Sequence, residues 1–338
     1  MLNRLCKLLL LLTVAWYAGC TYAQSKLQKP FAERKDVKQF IQEMHQQYGI
    51  DKSTLTAIFK TYASNPKVIR LMDRQFEAMP WYRYRDRLLT EKRINDGVRF
   101  WRANATVLDK ASKKFGVPPE IIVAILGIET SYGDITGTFP VVQSLATLAF
   151  DYPRRAAYFR KELEHFILLT EEGALHPTNT LGSYAGAMGM PQFMPSSYRK
   201  FAVDFSGTGK RDLIYDKVDV IGSVANYLKI NGWKAGQPIA HKAMVTGNAY
   251  RKLPVTKGHQ PTISLKELAK YNVRSLNAKK ISDNSQKVKF MVLESAADRD
   301  QGWLGFHNFY VITRYNNSTL YAMAVTQLSE QLRARYKS

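Results

Sequence analysis

One segment near the middle of this 338-residue chain is apolar on every face that a helix would present. It runs EIIVAILGIETSYG from Glu120 to Gly133, directly after Pro118 and Pro119. A helix that is apolar all round has to be covered on all sides, so it belongs at the centre of a domain. The chain must therefore supply enough other helices to surround this one.

Several other segments have the apolar periodicity of helices. One helical region extends from Phe31 to about Tyr62, and another from Glu91 to Lys114, where Gly116 ends it. The segment from Met79 to Leu89 is crowded with aromatic and basic residues and predicts an irregular or short helical connection. The remaining predicted helices are about Arg154 to Glu172, Ser196 to Val203, Val218 to Asn231 and Ser318 to Arg335. These patterns predict a mainly α fold.

The composition changes after Trp233. The alternating runs KVKFMVL (287–293) and FYVITRY (309–315) predict strands. We therefore predict a small α+β domain over residues 234–309, inserted into a helical core formed by residues 101–233 and completed by residues 310–338. An N-terminal helical region over residues 24–100 precedes this core.

The first residues have the pattern of a secretory signal peptide, predicted over residues 1–23. Arg4 and Lys7 precede an apolar stretch from Leu8 to about Ala18, too short to span a bilayer. Cleavage after Ala23 would release a protein into the periplasm, whereas cleavage before Cys20 in a lipobox-like Ala-Gly-Cys would attach it to the outer membrane. Both interpretations remain open, and the intact mass of the mature protein distinguishes them.

The charge of the chain indicates what kind of partner it binds, and its two cysteines indicate whether it can form a disulfide. The formal net charge of +21 draws polyanions, but the basic residues are spread along the chain without a nucleic-acid-binding module. An exported protein seldom meets nucleic acid, so we expect an envelope polymer as partner and no nucleic acid. A basic surface that serves solubility alone is the simpler alternative. The only cysteines are Cys6 and Cys20, so the mature protein has no internal disulfide.

Glu129 lies at the end of the buried helix. Apolar neighbours and the negative end of the helix dipole both raise the pKa of a carboxyl group there. A carboxylic acid that stays protonated near neutral pH is suited to protonate a glycosidic oxygen. Taken alone, however, the helix favours a simpler interpretation, in which Glu129 reaches solvent and has no catalytic role.

Six segments together resemble the lytic murein transglycosylase B family. They occur in one order along the chain, and the similarity extends from roughly Phe40 to the C terminus. The segments are GIETSYG (127–133), LATLAFDYPRRAAYF (145–159), GSYAGAMGMPQFMPSSY (182–198), VDFSGTGKRDL (203–213), GSVANYL (222–228) and ITRYNNSTLYAMAV (312–325).

The resemblance implies a lysozyme-like helical core and a lytic transglycosylase, an enzyme of the lyase class that cuts the β-1,4 bond between N-acetylmuramic acid and N-acetylglucosamine in peptidoglycan. Glu129 would act first as acid and then as base. The 6-hydroxyl of the muramic acid would close on its own anomeric carbon, leaving a 1,6-anhydro end and consuming no water. The resemblance implies a monomer whose partner is the glycan strand and which requires no cofactor.

Two other functions stay open from the residues. Asp134 or Asp151 could serve as the second carboxylate of a lysozyme-type hydrolase, since most glycosidases use two. An inactive peptidoglycan-binding scaffold could also keep the groove without the chemistry, although such a protein has no need of Glu129.

The resemblance further implies residues that bind the glycan. Ser183 and Gln192 would line the cleft and help to place the acetamido group of the substrate, although a turn or cap role is the simpler interpretation for Ser183. Arg154 and Arg155 would contact peptide carboxylates or the cleft wall, although a salt bridge at a helix start fits one of them. Aromatic and amide positions around the cleft complete the set: Tyr84, Tyr227, Tyr315, Asn316 and Tyr321.

One loop has the spacing of an EF-hand calcium site, and the family has such a loop. Its oxygen side chains are Asp204, Ser206 and Thr208, with Lys210 at the seventh position and Asp219 as a later ligand implied by the resemblance. The loop also departs from the pattern, because Thr208 stands where Asp or Asn is usual and the twelfth position has no Glu. A structural Ca²⁺ and a metal-free loop capped by Asp204 both remain open.

Overall fold

The computed structural model describes residues 29–73, 79–254, 257–277, 283 and 285–338. The predicted signal peptide and Cys20 lie outside these residues. The chain divides into two compact units, Met1–Asn65 and Pro66–Ser338. This division does not test the domain boundaries predicted from the sequence, which stay predictions.

The described part of the first unit is a pair of helices, α1 (Lys35–Tyr48) and α2 (Lys52–Lys60), after a 3₁₀ turn at Phe31–Glu33. Each helix buries one apolar stripe. The rings of Phe40 and Phe59 meet edge to face with centroids 5.9 Å apart. This pair accounts for the helical periodicity predicted from Phe31 to about Tyr62.

The second unit contains the other helices. They are α3 (Pro66–Met72), α4 (Trp81–Leu88), α5 (Glu91–Ala103), α6 (Ala105–Phe115), α7 (Pro119–Thr130), α8 (Val141–Asp151), α9 (Ala156–Glu171), α10 (Pro195–Phe201), α11 (Lys217–Ile230), α12 (Leu265–Ala269), α13 (His307–Thr313) and α14 (Thr319–Lys337). The predicted mainly α class is confirmed.

Helix α7 occupies the centre of this unit, as its sequence predicts. Its residues Ile121 to Leu126 are at most 1 % exposed. Helices α5, α6, α11 and α14 pack around it. Burying each large side chain of α7 stabilises the fold by about 1.5–3 kcal/mol. The helices packed around α7 provide this burial, so their packing on α7 stabilises the whole unit.

The strands form two antiparallel sheets. The first is a two-stranded pair, β1 (Phe139–Pro140) with β2 (Leu181–Gly182). The second has the order β4-β6-β7-β3-β5 and lies within the segment predicted as α+β. Its strands are β3 (Ala240–Val245), β4 (Ile263–Ser264), β5 (Val273–Ser275), β6 (Lys287–Ala296) and β7 (Arg299–Gly305). The predicted strand over residues 287–293 is confirmed as part of β6.

The prediction of a strand over residues 309–315 is wrong, because this segment belongs to helix α13. Its aromatic and β-branched composition suits a strand. Burial at Asn308, Phe309, Val311 and Ile312 instead follows the three- and four-residue spacing of a helix face.

Asn308 joins the two ends of the chain segment that forms the five-stranded sheet. It is fully buried. Its side-chain oxygen accepts from the Lys234 amide at 2.9 Å, and its nitrogen donates to the carbonyls of Lys234 and Gln237 at 2.8 and 3.1 Å. One side chain therefore holds the exit from the helical core beside the return to it.

In the part of the chain that the structure describes, no helix combines the length and the apolar character needed to cross a membrane.

Replacing Asn308 with Ala should lower the free energy of unfolding by about 2–4 kcal/mol, because it removes three hydrogen bonds to the backbone of Lys234 and Gln237. The measurement is urea denaturation followed by circular dichroism. Asn248→Ala is the matched control, since Asn248 is exposed and its side chain makes no cap hydrogen bond. Equal stability of the two variants would contradict the proposed role of Asn308.

Candidate active site

The helix that carries Glu129 ends abruptly just after it. Ser131 and Tyr132 both have left-handed backbone conformations, with φ of 50° and 66°. The amides of Ser131 and Tyr132 donate to the carbonyls of Gly127 and Leu126, both at 3.1 Å. Such conformations cost free energy in residues other than glycine, so surrounding contacts have to hold this turn.

Tyr132 and Arg93 hold the turn. The Tyr132 hydroxyl donates to the Arg93 carbonyl at 2.9 Å, and the Arg93 guanidinium donates to the Gly127 carbonyl at 3.0 Å. A Cβ atom at Gly97 or at Gly127 would lie 2.3 or 2.5 Å from the Tyr132 hydroxyl oxygen. The two glycines thus make room for the ring that fixes the end of the helix.

Thr130 fastens the same helix end to the next wall of the site. It is 1 % exposed. Its hydroxyl donates to the Met190 carbonyl at 2.9 Å and accepts from the Gly133 amide at 3.1 Å. Met190 belongs to the turn Met188–Phe193, so Thr130 sets the spacing between Glu129 and Gln192. The sequence analysis did not predict this role, and only the position of Thr130 next to Glu129 hinted at it.

Glu129 is half-buried and bonded to a tyrosine from the far end of the chain. The Tyr321 hydroxyl donates to Glu129 Oε1 at 2.6 Å. Burial raises the pKa of Glu129 to about 7, against the opposing effect of this hydrogen bond. The direction agrees with the expectation from the sequence. A carboxyl group with this pKa both gives and takes a proton near neutral pH.

Three of the predicted tyrosines form a continuous aromatic wall beside Glu129. The rings of Tyr315 and Tyr321 stack at an interplanar angle of 9°, and those of Tyr227 and Tyr315 lie 4.8 Å apart. The Tyr315 hydroxyl donates to the Pro191 carbonyl at 2.6 Å, and the Tyr227 hydroxyl donates to the Arg314 carbonyl. These bonds tie the wall to the turn Met188–Phe193 and to the C-terminal end of α13.

Tyr84 and Asn316 lie at the margins of this wall. Tyr84 is close enough to Tyr321 to contribute to the raised pKa of its hydroxyl, after the larger effects of burial and of Glu129. Asn316 follows Tyr315 directly and is exposed. The structure thus places both residues near the aromatic wall.

Gln192 and Ser183 lie on two turns joined by backbone pairing through Met188. Gln192 has a left-handed φ of 51°, and its side-chain nitrogen donates to the carbonyls of Thr136 and Gly189 at 3.0 and 2.9 Å. Ser183 Oγ accepts from the Ala187 amide at 3.0 Å. Ser183 therefore has the turn role named as the simpler interpretation, and its hydroxyl hydrogen is not used by that bond.

The two arginines have different surroundings. Arg154 forms a salt bridge with Asp73, the outcome expected for one of the pair. The guanidinium of Arg155 lies 4.5 Å from the ring centroid of Tyr158. Tyr158 is 40 % exposed. Burial is the main cause that raises its pKa to about 12, and Tyr227 is near enough to add a smaller contribution. Tyr158 is a surface aromatic residue that the sequence analysis missed, and it links Arg155 to the aromatic wall.

The EF-hand-like loop has its two carboxylates already engaged. Asp204 accepts from the amides of Gly207, Thr208 and Gly209 at 2.7 to 3.0 Å. Asp219, which is fully buried, accepts from the amides of Phe205, Ser206 and Asp212 at 2.8 to 2.9 Å. Some amide bonding of this kind is normal in calcium loops, but here every carboxylate oxygen has an amide donor.

The donor set therefore fits calcium poorly. Thr208 supplies no charge, and Lys210 is an exposed cation within the loop. Among the residues that the structure describes, no group of three or more His, Cys, Asp and Glu side chains is arranged to hold a metal ion. High calcium affinity depends on the number of charged ligands.

Comparison with known proteins gives one consistent result. The sequence profile described as "Transglycosylase SLT domain" matches residues 32–330. The chain is 42 % identical over 310 residues to the membrane-bound lytic murein transglycosylase B of Escherichia coli K12, covering 89 % of this chain and 83 % of that protein.

Solved structures give the same result. The soluble lytic transglycosylase SltB1 of Pseudomonas aeruginosa matches with a TM-score of 0.83 and 43 % identity, over 89 % of this chain and 99 % of that one. The Escherichia coli lytic transglycosylase Slt35, solved in complex with calcium, matches with a TM-score of 0.81 and 42 % identity, over 92 % of this chain and 95 % of that one.

Replacing Tyr321 with Phe should raise the pKa of Glu129 above about 7, because the lost hydrogen bond favoured the charged carboxylate. The pKa can be followed through the ¹³C chemical shift of the Glu129 carboxyl carbon during a pH titration. Tyr315→Phe is the matched control, since the Tyr315 hydroxyl donates to a backbone carbonyl instead. A pKa that falls in Tyr321→Phe would contradict this assignment.

Proposed function

We propose a residue-level mechanism for this chain from the premise that it belongs to the transglycosylase SLT domain family. It is a peptidoglycan lytic transglycosylase with a lysozyme-like helical core. The observation that carries the mechanism is the pairing of Glu129 with Tyr321. Burial, opposed by this pairing, leaves one carboxyl group with a pKa of about 7 at the end of a buried helix.

In the first step, Glu129 acts as the acid. Its Oε1 accepts the Tyr321 hydroxyl, so the proton is carried on Oε2, the oxygen left for the substrate. Transfer of that proton to the glycosidic oxygen breaks the bond to the anomeric carbon of the muramic acid and frees one fragment. The carboxylate that forms keeps the Tyr321 hydrogen bond, which stabilises the charged form.

In the second step, the same carboxylate acts as the base. It takes the proton of the 6-hydroxyl as that oxygen bonds to the anomeric carbon, which leaves a 1,6-anhydro end. Glu129 is then protonated again, and no water has been used. Burial and the Tyr321 hydrogen bond shift the pKa of Glu129, and no second carboxylate among the described residues contributes to this shift. Asp134 is exposed and lies beyond the end of the helix. A one-carboxylate cycle therefore suits the site better than a hydrolase with two.

The walls of the site suit an amino sugar. The side-chain nitrogen of Gln192 is engaged by two carbonyls, which leaves its oxygen to accept the N–H of an acetamido group. The aromatic wall of Tyr227, Tyr315 and Tyr321 offers flat surfaces to pyranose rings, while Asn316 and the Ser183 hydroxyl can bond sugar hydroxyls. Tyr84 closes the side of the site near Tyr321.

The peptides attached to the glycan would meet the basic edge of the site. Arg155 is the better candidate of the two arginines, because Arg154 is paired with Asp73. The guanidinium of Arg155 lies over the ring of Tyr158, and Tyr158 is near enough to Tyr227 of the aromatic wall to interact with it electrostatically. We infer that Arg155 binds a peptide carboxylate there.

We infer that the protein works where peptidoglycan lies, in the periplasm. The predicted signal peptide and the name of the membrane-bound relative support this compartment. Attachment to the outer membrane through Cys20 remains one of the two interpretations of the leader.

We also infer that the EF-hand-like loop of this chain folds without calcium. Six backbone amides already satisfy Asp204 and Asp219. Slt35 was solved in complex with calcium, so a calcium-free loop would be a difference between this chain and that relative.

The role of Glu129 is tested by Glu129→Gln, which keeps the shape of the side chain and removes its acid. We expect the yield of anhydro-ended fragments from purified peptidoglycan to fall by about 10²- to 10⁴-fold, measured by mass spectrometry. Asp134→Asn is the matched control and should retain activity. Equal activity of Glu129→Gln and wild type would overturn the mechanism. Reducing muramic ends from wild type would instead support a hydrolase.

The metal-free loop is tested by calorimetric titration with calcium. Wild-type protein stripped with EDTA should give no binding heat and no rise in melting temperature. Thr208→Asp adds a carboxylate at the fifth loop position and serves as the positive control, with calcium binding expected to increase. Saturable binding of calcium by wild type at micromolar concentration would show that the inference is wrong.

A further inference from the structure

A cavity of about 710 Å³ lies beside the site that contains Glu129. Three loops line it: the one after α7, the one after α9 and the one between α10 and α11 that contains the EF-hand-like segment. A volume of this size accommodates several residues of a ligand. None of the substrate-binding residues assigned above lines this cavity.

The cavity and the candidate active site share one wall. Gly133 and Thr136 line the cavity. The Gln192 side chain donates to the Thr136 carbonyl, and a Cβ atom on Gly133 would lie 2.8 Å from Met190 Cε. The turn Met188–Phe193 therefore has the active site on one side and the cavity on the other.

The charges of the cavity favour an anionic ligand. Its acid Glu172 is shared by Arg199 and Arg211, at 2.9 and 3.2 Å. Its other acid, Asp212, accepts from the amides of Ile214 and Tyr215 at 2.8 and 2.9 Å. Both carboxylates are thus compensated by donors within the fold.

Lys210 is the exposed cation of the cavity wall. Among the residues that the structure describes, no carboxylate forms a salt bridge with its ammonium. The loop that carries it is held by Asp204 and Asp219 through backbone amides, from Phe205 to Gly209 and at Asp212. A backbone fixed in this way loses little conformational entropy when the side chain binds a ligand.

The cavity also presents an unusual aromatic residue. Tyr215 is 87 % exposed, and Leu181 of β2 is 49 % exposed. Both side chains line the cavity and offer a ligand apolar surface to cover. A ligand with an aliphatic body and a carboxylate end matches Tyr215, Leu181 and Lys210 together.

We propose that this cavity binds a peptide stem of peptidoglycan, with a stem carboxylate on Lys210 and the aliphatic part of the stem against Tyr215. The inference rests on the proposed function, because the stem reaches the cavity only when its glycan is bound at Glu129. It gives the loop a role without calcium, because Lys210 at the seventh loop position supplies the cation that recognises the substrate.

The test compares glycan strands that carry peptide stems with strands whose stems an amidase has removed. The measured quantity is kcat/KM on the stem-bearing strands divided by kcat/KM on the stem-free strands. In Lys210→Ala this ratio should fall about threefold to fivefold relative to wild type, the size expected for one exposed ion pair. Lys210→Arg should restore the ratio, and Tyr215→Ala should lower it.

Lys266→Ala is the matched control. Lys266 is an exposed lysine on α12, outside the cavity, and its loss removes the same charge. An unchanged ratio in Lys210→Ala, or an equal loss on both substrates, would overturn the stem site. Failure of the proposed function has a different signature, because wild type would then release no anhydro ends from either substrate.

Discussion

The hydrogen bond between Tyr321 and Glu129 is the interaction on which the rest of the site depends. It joins two residues 192 positions apart in the chain. After the five-stranded sheet, the chain has to return to the helical core. Helix α14 then has to pack on α7 before Tyr321 can reach the carboxyl group of Glu129. The buried Asn308 holds the two ends of that excursion side by side. The same packing stacks Tyr321 on Tyr315, and Tyr315 holds the turn that carries Gln192.

Two opposing effects give Glu129 a useful pKa. Burial disfavours the carboxylate, whereas the Tyr321 hydroxyl favours it, and burial prevails, which raises the pKa to about 7. A deeper site without the hydroxyl would hold the group as an acid only, and an exposed site would hold it as a carboxylate only. A single residue that serves as acid and then as base needs the intermediate value.

The sequence predicted the centre of this fold better than its connections. Helix α7 follows from its uniformly apolar faces, and Glu129 follows from the resemblance of its surroundings. The prediction of a strand at FYVITRY (309–315) is wrong, because composition does not distinguish a buried helix from a buried strand. The roles of Thr130 and Tyr158 depend on partners far along the chain, at Met190 and near Tyr227. No local sequence pattern contains that information. The left-handed backbone at Ser131 and Tyr132 was not predictable either, because neither residue is a glycine.

The central claim is that one carboxyl group completes the reaction with the substrate's own hydroxyl and without water. The direct measurement is to digest peptidoglycan in water enriched in ¹⁸O and to weigh the new muramic ends. Every oxygen of an anhydro end comes from the substrate, so the account predicts fragments without ¹⁸O. Incorporation of one labelled oxygen at the new muramic end would contradict it.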